Sequence, residues 1–375
     1  MLTSQSWLGG LEHNTKEMDP AFKFEQTVIA RNKYLLETAE RENSPIQRFY
    51  RDRVVFVTGG TGFIGKLLIE KLFRTCAIKK MLIMIRSKKD SSHHQRLKKI
   101  FEDPVFDELR KIKPNFEDKI VAVEGDISDI RFGIDVKVWD TIIEEVDIIF
   151  HMAAVVRFDG QLKTTILSNV GGTKEALRLG KACKKLRSLV YVSTAYSHAT
   201  RSRIGTKISE EFEKCPASPD ILIQLVETLN DEKLKLLTPS LIEDWPNTYY
   251  FSKAAAEEVI RTMADDLPVS IVKPAIVTSC HREPAPGWID MNYAYGPSGL
   301  LIAAGLGLLH VFYADVNVKV NIVPADMVTN AVVAAGWQSA RRHAAGDKET
   351  RIYTVSNIRN PVKWGKRING INTLI

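Results

Sequence analysis

A tyrosine and a lysine stand four residues apart, Tyr249 and Lys253, in the string NTYYFSKAAAE (247–257). On a helix this spacing puts both side chains on one face. An ammonium beside a phenol favours the phenolate and draws the phenol pKa toward neutrality. Such a phenol can give a proton to a carbonyl oxygen or take one from a hydroxyl. Tyr250 has Ala254 at the corresponding place, so the register belongs to Tyr249. The chemistry also needs a hydroxyl to bond the reacting oxygen. VYVSTAYSH (190–198) offers Ser193 and Thr194 at the end of an apolar run. Thr194 is favoured, and both stay open.

The second constellation is TGGTGFIG (58–65), with glycines at 59, 62 and 65. It lies between a strand-like run, VVFVT, and a segment of helical periodicity, FIGKLLIEKLFRTC. Glycine permits the tight turn and lets backbone approach a pyrophosphate, and the helix N-terminus offers free N–H groups. The candidate contacts are Thr58, Gly59, Thr61, Gly62, Phe63, Ile64 and Gly65. A dinucleotide with a free ribose 2′-hydroxyl usually meets a carboxylate about 20 residues further on. Here Arg86 stands 21 residues after Gly65, followed by Ser87, Lys88 and Lys89. Cations in place of a carboxylate favour a 2′-phosphate, hence NADPH.

These groups need elements to position them. Apolar, β-branched runs predict strands ending the VVFVTGG run and over 80–86, 119–126, 146–154, 186–195 and 268–277. Helical spacing predicts helices over 63–76, 95–112, 136–145, 166–183 and 250–264, with a weaker one over 21–41. The alternation predicts parallel β-α-β units with right-handed crossovers, an α/β doubly wound sheet. Uniformly apolar strands fit a sheet covered on both faces. The polar stretch 197–247 reads as an insertion carrying substrate contacts.

Composition narrows the classes. The chain has 375 residues, 45% of them hydrophobic and 26% charged, which excludes a disordered chain, a fibrous repeat and a multi-span membrane protein. The net charge of +7 comes without a stripe of Lys/Arg and aromatics, so nucleic acid is not an expected partner. Cys76, Cys183, Cys215 and Cys280 form no CxxC pair, which argues against a zinc site and suits a reducing, intracellular compartment. No metal site is expected. The N-terminus lacks the basic start and apolar run of a signal peptide. No run reaches membrane-span length; the nearest, 300–313, reads as a buried helix or loop. His93 and His94 read as a solvated polar loop, and His151 as packing beside the cofactor.

With these residues assembled, the chain resembles the extended short-chain dehydrogenase/reductases, which have an NAD(P)-binding Rossmann fold with a smaller substrate-binding lobe. Within them it resembles the alcohol-forming fatty acyl-CoA reductases. The strings that carry this are FVTGGTGFIGK (56–66), IRSKK (85–89), VEGDIS (123–128), FHMAAVVRFD (150–159), NVGGT (169–173), VSTAYSH (192–198), NTYYFSKAAAE (247–257), EPAPGWID (283–290) and VPADM (323–327). The resemblance runs from about residue 20 to about 364. It implies reduction of a long-chain or very-long-chain fatty acyl-CoA to a primary alcohol with two NADPH. Tyr249 would protonate the oxyanion, Lys253 would tune Tyr249 and bind the ribose, and Ser193 or Thr194 would orient the carbonyl. Asp126 and Ile127 would border the adenine, Ala153 the ribose side and Pro274 the nicotinamide. It further implies a peroxisomal or endoplasmic-reticulum membrane.

Three positions depart from the family pattern: Lys273 where Arg is usual, MNYAYGPSGL (291–300) where GPTGL is usual, and Leu306 within a GKG position. The resemblance divides the chain into an extension (1–48), a catalytic domain (49–340) with a substrate lobe from 197–247 and 278–322, and the start of a truncated C-terminal region (341–375). Membrane contact would belong to that missing region. Competing readings are another extended reductase or epimerase acting on a sterol or nucleotide sugar, and a non-catalytic truncated isoform.

Overall fold

The computed structural model describes residues 44–365 apart from position 216, together with positions 26, 30, 33–35 and 37. Of the helix expected over 21–41 only those six positions are described, all of them helical; its remainder, most of the 1–48 extension and residues 366–375 lie outside the described residues.

The strands are β1 (Val54–Thr58), β2 (Lys80–Ile85), β3 (Ile120–Glu124), β4 (Ile148–His151), β5 (Ser188–Val192), β6 (Val269–Pro274), β7 (Ile276–Thr278), β8 (Lys319–Val320), β9 (Ile322–Pro324), β10 (Arg351–Val355) and β11 (Val362–Lys363). Seven form one parallel sheet in the order β10-β6-β5-β4-β1-β2-β3. Chain order reverses between β1 and β4, the crevice where open α/β sheets bind ligands. The doubly wound fold is therefore as expected.

Both faces are covered. Phe56, Ile149, Tyr191 and Ile271 point to one core; Val55, Val57, Phe150, Val190 and Val272 point to the other. The helices that matter for the site are α1 (Phe63–Thr75), α2 (Gly172–Ala182), α3 (Thr248–Met263) and α4 (Ala325–Ala344). The first core is closed by α2 and α3, the second by α1 and α4.

Several expectations need correction. The helix over 95–112 is two helices, His93–Phe101 and Asp107–Ile112, separated by a 3₁₀ turn, Pro104–Phe106. Proline cannot continue a helix, and the Asp103 side chain caps the new turn at the Val105 N–H. His93 and His94 are not a free loop: Ser92 and Gln95 form a capping box, and both histidines open the first helix. His93 Nδ1 lies 3.5 Å from the Glu124 carboxylate. The run over 268–277 divides after Pro274, which has no N–H to extend the ladder; β7 then pairs with β9. Helix α4 crosses position 340, and β10 pairs with β6, so the sheet continues into the stretch set apart as 341–375.

The run 300–313 is not buried. A helix, Gly296–Gly305, gives way to Gly307 at φ +69°, and the chain turns outward. Leu308 is 76%, Val311 85% and Tyr313 100% exposed. No helix among the described residues is long and apolar enough to cross a membrane.

Candidate active site

The glycine loop joins β1 to α1 by contacts that exclude side chains. Gly59 sits at φ +78°, and a Cβ there would lie 2.6 Å from the Ala153 nitrogen at the end of β4. A Cβ on Gly65 would lie 2.2 Å from the Gly59 carbonyl oxygen. The Gly62 N–H closes the turn on the Gly59 carbonyl at 3.0 Å. Helix α1 starts at Gly62 without a side-chain cap, leaving the first-turn amides around Phe63, Ile64 and Gly65 for an anion. Thr61 is half-buried in the same turn. A cradle that a Cβ would fill, before an uncapped helix of 13 residues, fits a pyrophosphate. Thr58 instead ties β1 to β4, its buried hydroxyl bonding His151 Nδ1 at 2.8 Å and accepting the Ala153 N–H at 3.3 Å.

At the end of β2, Arg86 is 67% exposed and its guanidinium lies 3.3 Å from Asp126. Lys88 and Lys89 occupy a tight turn closed by backbone bonds between Lys88 and Ser91. Arg96, which motif reading missed, donates to the Arg86 carbonyl and adds a fourth cation. Burial pushes the Asp126 carboxyl up, but the Ser128 N–H and hydroxyl and the Arg86 guanidinium outweigh it and hold it below its usual value. Ile127 packs its carbonyl where a Cβ on Gly172 would lie at 2.8 Å, so α2 approaches this loop closely.

Helix α3 brings the reacting groups to the end of β5. Asn247 caps it by accepting the Tyr250 N–H at 2.9 Å. Tyr249, in the first turn, is buried, and the Thr194 side chain lies near enough to its phenol to draw the phenol pKa down in part. Ser193 points elsewhere and donates to the Glu257 carboxylate at 2.5 Å. Of the two hydroxyls, Thr194 meets Tyr249. Pro274 lies at the end of β6, where its carbonyl accepts the Ala195 N–H at 2.9 Å.

Lys253 is buried, its Nζ donating to the Val192 carbonyl at 2.8 Å and Tyr191 Oη at 3.2 Å. Nζ also lies 4.7 Å from the centre of the Tyr191 ring. Burial drives Lys253 down to about 7, against the Glu257 carboxylate, which raises it. Tyr249 departs from expectation. Burial and Tyr250 push its phenol up, with only partial opposition from Thr194. The phenol therefore stays protonated at neutral pH. That is the form that donates to an alkoxide, a much stronger base.

His151 is buried between Thr58 and Thr173, and burial and then Lys253 hold its pKa near 3, so it packs as a neutral ring. Asn169 was missed as an organiser. It sits in a π-helical turn, Ile166–Gly171, a local distortion common at functional sites. Its side chain bonds both backbone groups of Val155, at 2.8 and 3.1 Å, and Ser252 Oγ at 2.9 Å. The NVGGT string contained it without saying why. Phe158, Tyr250 and Tyr196 make an aromatic wall beside Tyr249.

Residues 57–332 match the family model described as male sterility protein. Fatty acyl-CoA reductase wat of Drosophila melanogaster is 42% identical over 325 residues, covering 86% of this chain and 61% of that protein. Fatty acyl-CoA reductase 2 of Bos taurus is 37% identical with the same coverages, 86% and 61%. The chain thus spans about 61% of the length of these relatives. Among solved structures, the terminal R domain from the myxalamid PKS-NRPS biosynthetic pathway aligns with a TM-score of 0.63 at 24% identity, covering 86% of this chain and 70% of that one. The reductase domain of a nonribosomal peptide synthetase from Mycobacterium tuberculosis aligns with a TM-score of 0.59 at 22% identity, covering 91% and 75%. These two likenesses establish a shared fold.

Proposed function

The chain belongs to the male sterility protein family, and from that premise we propose that it reduces long-chain or very-long-chain fatty acyl-CoA to primary alcohol with NADPH. The observation that carries this reading is the convergence of Thr194, Tyr249 and Lys253 at the end of β5, beside the switch point that holds the glycine cradle.

The first-turn amides of α1 would hold the pyrophosphate, and Arg86, Lys88 and Lys89 would supply cations for a 2′-phosphate. Asp126 and Ile127 would serve the adenine, and Ala153 and Pro274 the ribose and nicotinamide. When bound, NADPH supplies hydride. Tyr249 donates its phenolic proton to the oxygen of the attacked carbonyl, and Thr194 holds that oxygen in line. Lys253 contributes positive charge behind Tyr249 and a donor for the ribose. Collapse of the thioester adduct releases coenzyme A as thiol and leaves the aldehyde. A second hydride equivalent from NADPH and a proton from Tyr249, reprotonated by solvent, would then give the alcohol.

The test follows NADPH and NADH oxidation with a panel of acyl-CoAs while aldehyde and alcohol are quantified. The expected result is alcohol formed with NADPH and little with NADH. Replacing Tyr249 by Phe should lower turnover about 10²- to 10⁴-fold, with NADPH still bound. Turnover of a UDP-sugar or sterol without acyl-CoA reduction overturns the reading, and so does full activity in the Phe variant.

A further inference from the structure

Beneath the reacting pair lies a buried polar cluster that the reduction as written does not use. Glu257 follows Lys253 by one turn of α3 and is 1% exposed. One carboxylate oxygen accepts Ser193 Oγ at 2.5 Å; the other meets Lys273 Nζ at 3.0 Å and His198 Nε2 at 3.3 Å. Lys273 and His198 are as deeply buried as the carboxylate. Burying charges costs several kcal/mol per ion, so a cluster of this kind is weak evidence for stability. Its placement is more informative.

Lys253 makes its hydrogen bonds to a carbonyl and a phenol, not to a carboxylate. The titratable groups facing it are His151 from β4, Tyr191 from β5 and Glu257 from its own helix. Of these, Glu257 carries the negative charge. Its other neighbours, Lys273 from β6 and His198 from the loop after β5, bind Glu257 itself. The second link runs through Ser193. Its bond to Glu257 anchors the residue next to Thr194, whose own hydroxyl accepts the Tyr196 N–H at 3.3 Å.

Resting on the reductase reading above, we propose that Glu257 is a positioning residue for the reaction. From one turn further along α3 it supports the cationic form of Lys253 and, through Ser193, holds Thr194 against Tyr249. Lys273 and His198 keep it anionic.

The experiment is the pH profile of NADPH-dependent acyl-CoA reduction in the full chain and its Glu257→Gln variant. The amide keeps the shape and loses the charge. The alkaline limb of kcat, where Lys253 loses its proton, should move to lower pH by about one unit. KM for acyl-CoA and the Kd for NADPH should stay within roughly twofold, because Glu257 is buried away from the surface that would receive either ligand. Glu257→Asp, which keeps the charge, should return the limb to its wild-type position. If Glu257→Gln leaves Lys273 uncompensated and does not fold, the double variant Glu257→Gln/Lys273→Met removes both charges and should show the same limb shift. A kcat lowered by one factor at every pH, with the limb unmoved, overturns the inference and leaves the reductase reading standing. A wild-type chain without acyl-CoA turnover overturns both.

Discussion

The two faces of the central sheet each bury a network of charge, and the networks behave differently. On the α1 and α4 face, Arg74 binds Glu70 at 2.6 Å and Glu283 at 2.7 Å. Glu283 also takes Lys71 at 2.6 Å and the Asn330 amide at 3.0 Å. Nearby, Lys66 bridges Asp103 and Asp290, while Asp326 accepts the backbone N–H groups of residues 281–283. The result ties the EPAPGWID segment to the cofactor helix. Burial pushes Glu283 up, but Lys71 and Arg74 outweigh it and hold it at about 2. Burial would lower Arg74, and its carboxylates hold it above its usual value instead.

On the α3 face, Glu257 is held at about 2 despite burial, by the hydrogen bond from His198, the Lys273 charge and Ser193. Lys253, one turn away, rests at about 7. Burial is common to both networks. What separates them is direct pairing: a cation in contact with carboxylates keeps its proton, whereas one facing neutral oxygens titrates near neutrality. The first arrangement fixes a backbone and the second keeps a proton exchangeable.

The sharpest way to break this contrast is Arg74→Met, which leaves two buried carboxylates without their shared cation. It should cost about 3–5 kcal/mol in urea unfolding while the alkaline limb of turnover stays in place. A limb that moved would mean the faces are not independent. Next in size is Thr194→Val, expected to lower kcat roughly 10²-fold, against a much smaller loss in Ser193→Ala. Equal losses would undo the division of labour between the two hydroxyls.

Acid should act on both faces alike. Glu257 and Glu283 have folded pKa values near 2, below the unfolded carboxylate value. The unfolded chain therefore binds protons more readily as the pH falls below about 4.3, and the stability these groups give is lost progressively from there toward their folded pKa. Urea midpoints measured between pH 6 and pH 3 should fall, and less steeply in Glu283→Gln. The smallest effect belongs to the exposed charges. Arg86→Ala should weaken NADPH about tenfold by fluorescence titration and leave NADH nearly unchanged, because one charge-assisted bond is lost.

The inner strands of the sheet were legible because they are buried on both faces, and run lengths then mark them directly; the half-exposed edge strand β10 was missed. The glycine loop and Tyr249–Lys253 were legible for a related reason: a backbone clash at Gly65 and a helical face at 249 and 253 are local requirements. The choice between Ser193 and Thr194 was not local. It depends on Glu257, which is 64 residues from Ser193 in the chain and 2.5 Å from it in space. The phenol's direction of shift was misread for the same reason, since spacing reveals Lys253 but not the burial that outweighs it. The run 300–313 misled because its composition matches a core segment, and composition does not say which element packs on it.

That exposed run has a colloidal consequence. Residues 291–314 contain no aspartate, glutamate, lysine or arginine, and the bulk of their apolar surface faces outward. At neutral pH the net charge of +7 makes copies of the chain repel one another. Raising the pH removes that charge and leaves the patch unchanged, while added salt screens the charge directly. Self-association, read as light scattering, should rise along either path, and the two should be interchangeable: less charge needs less salt.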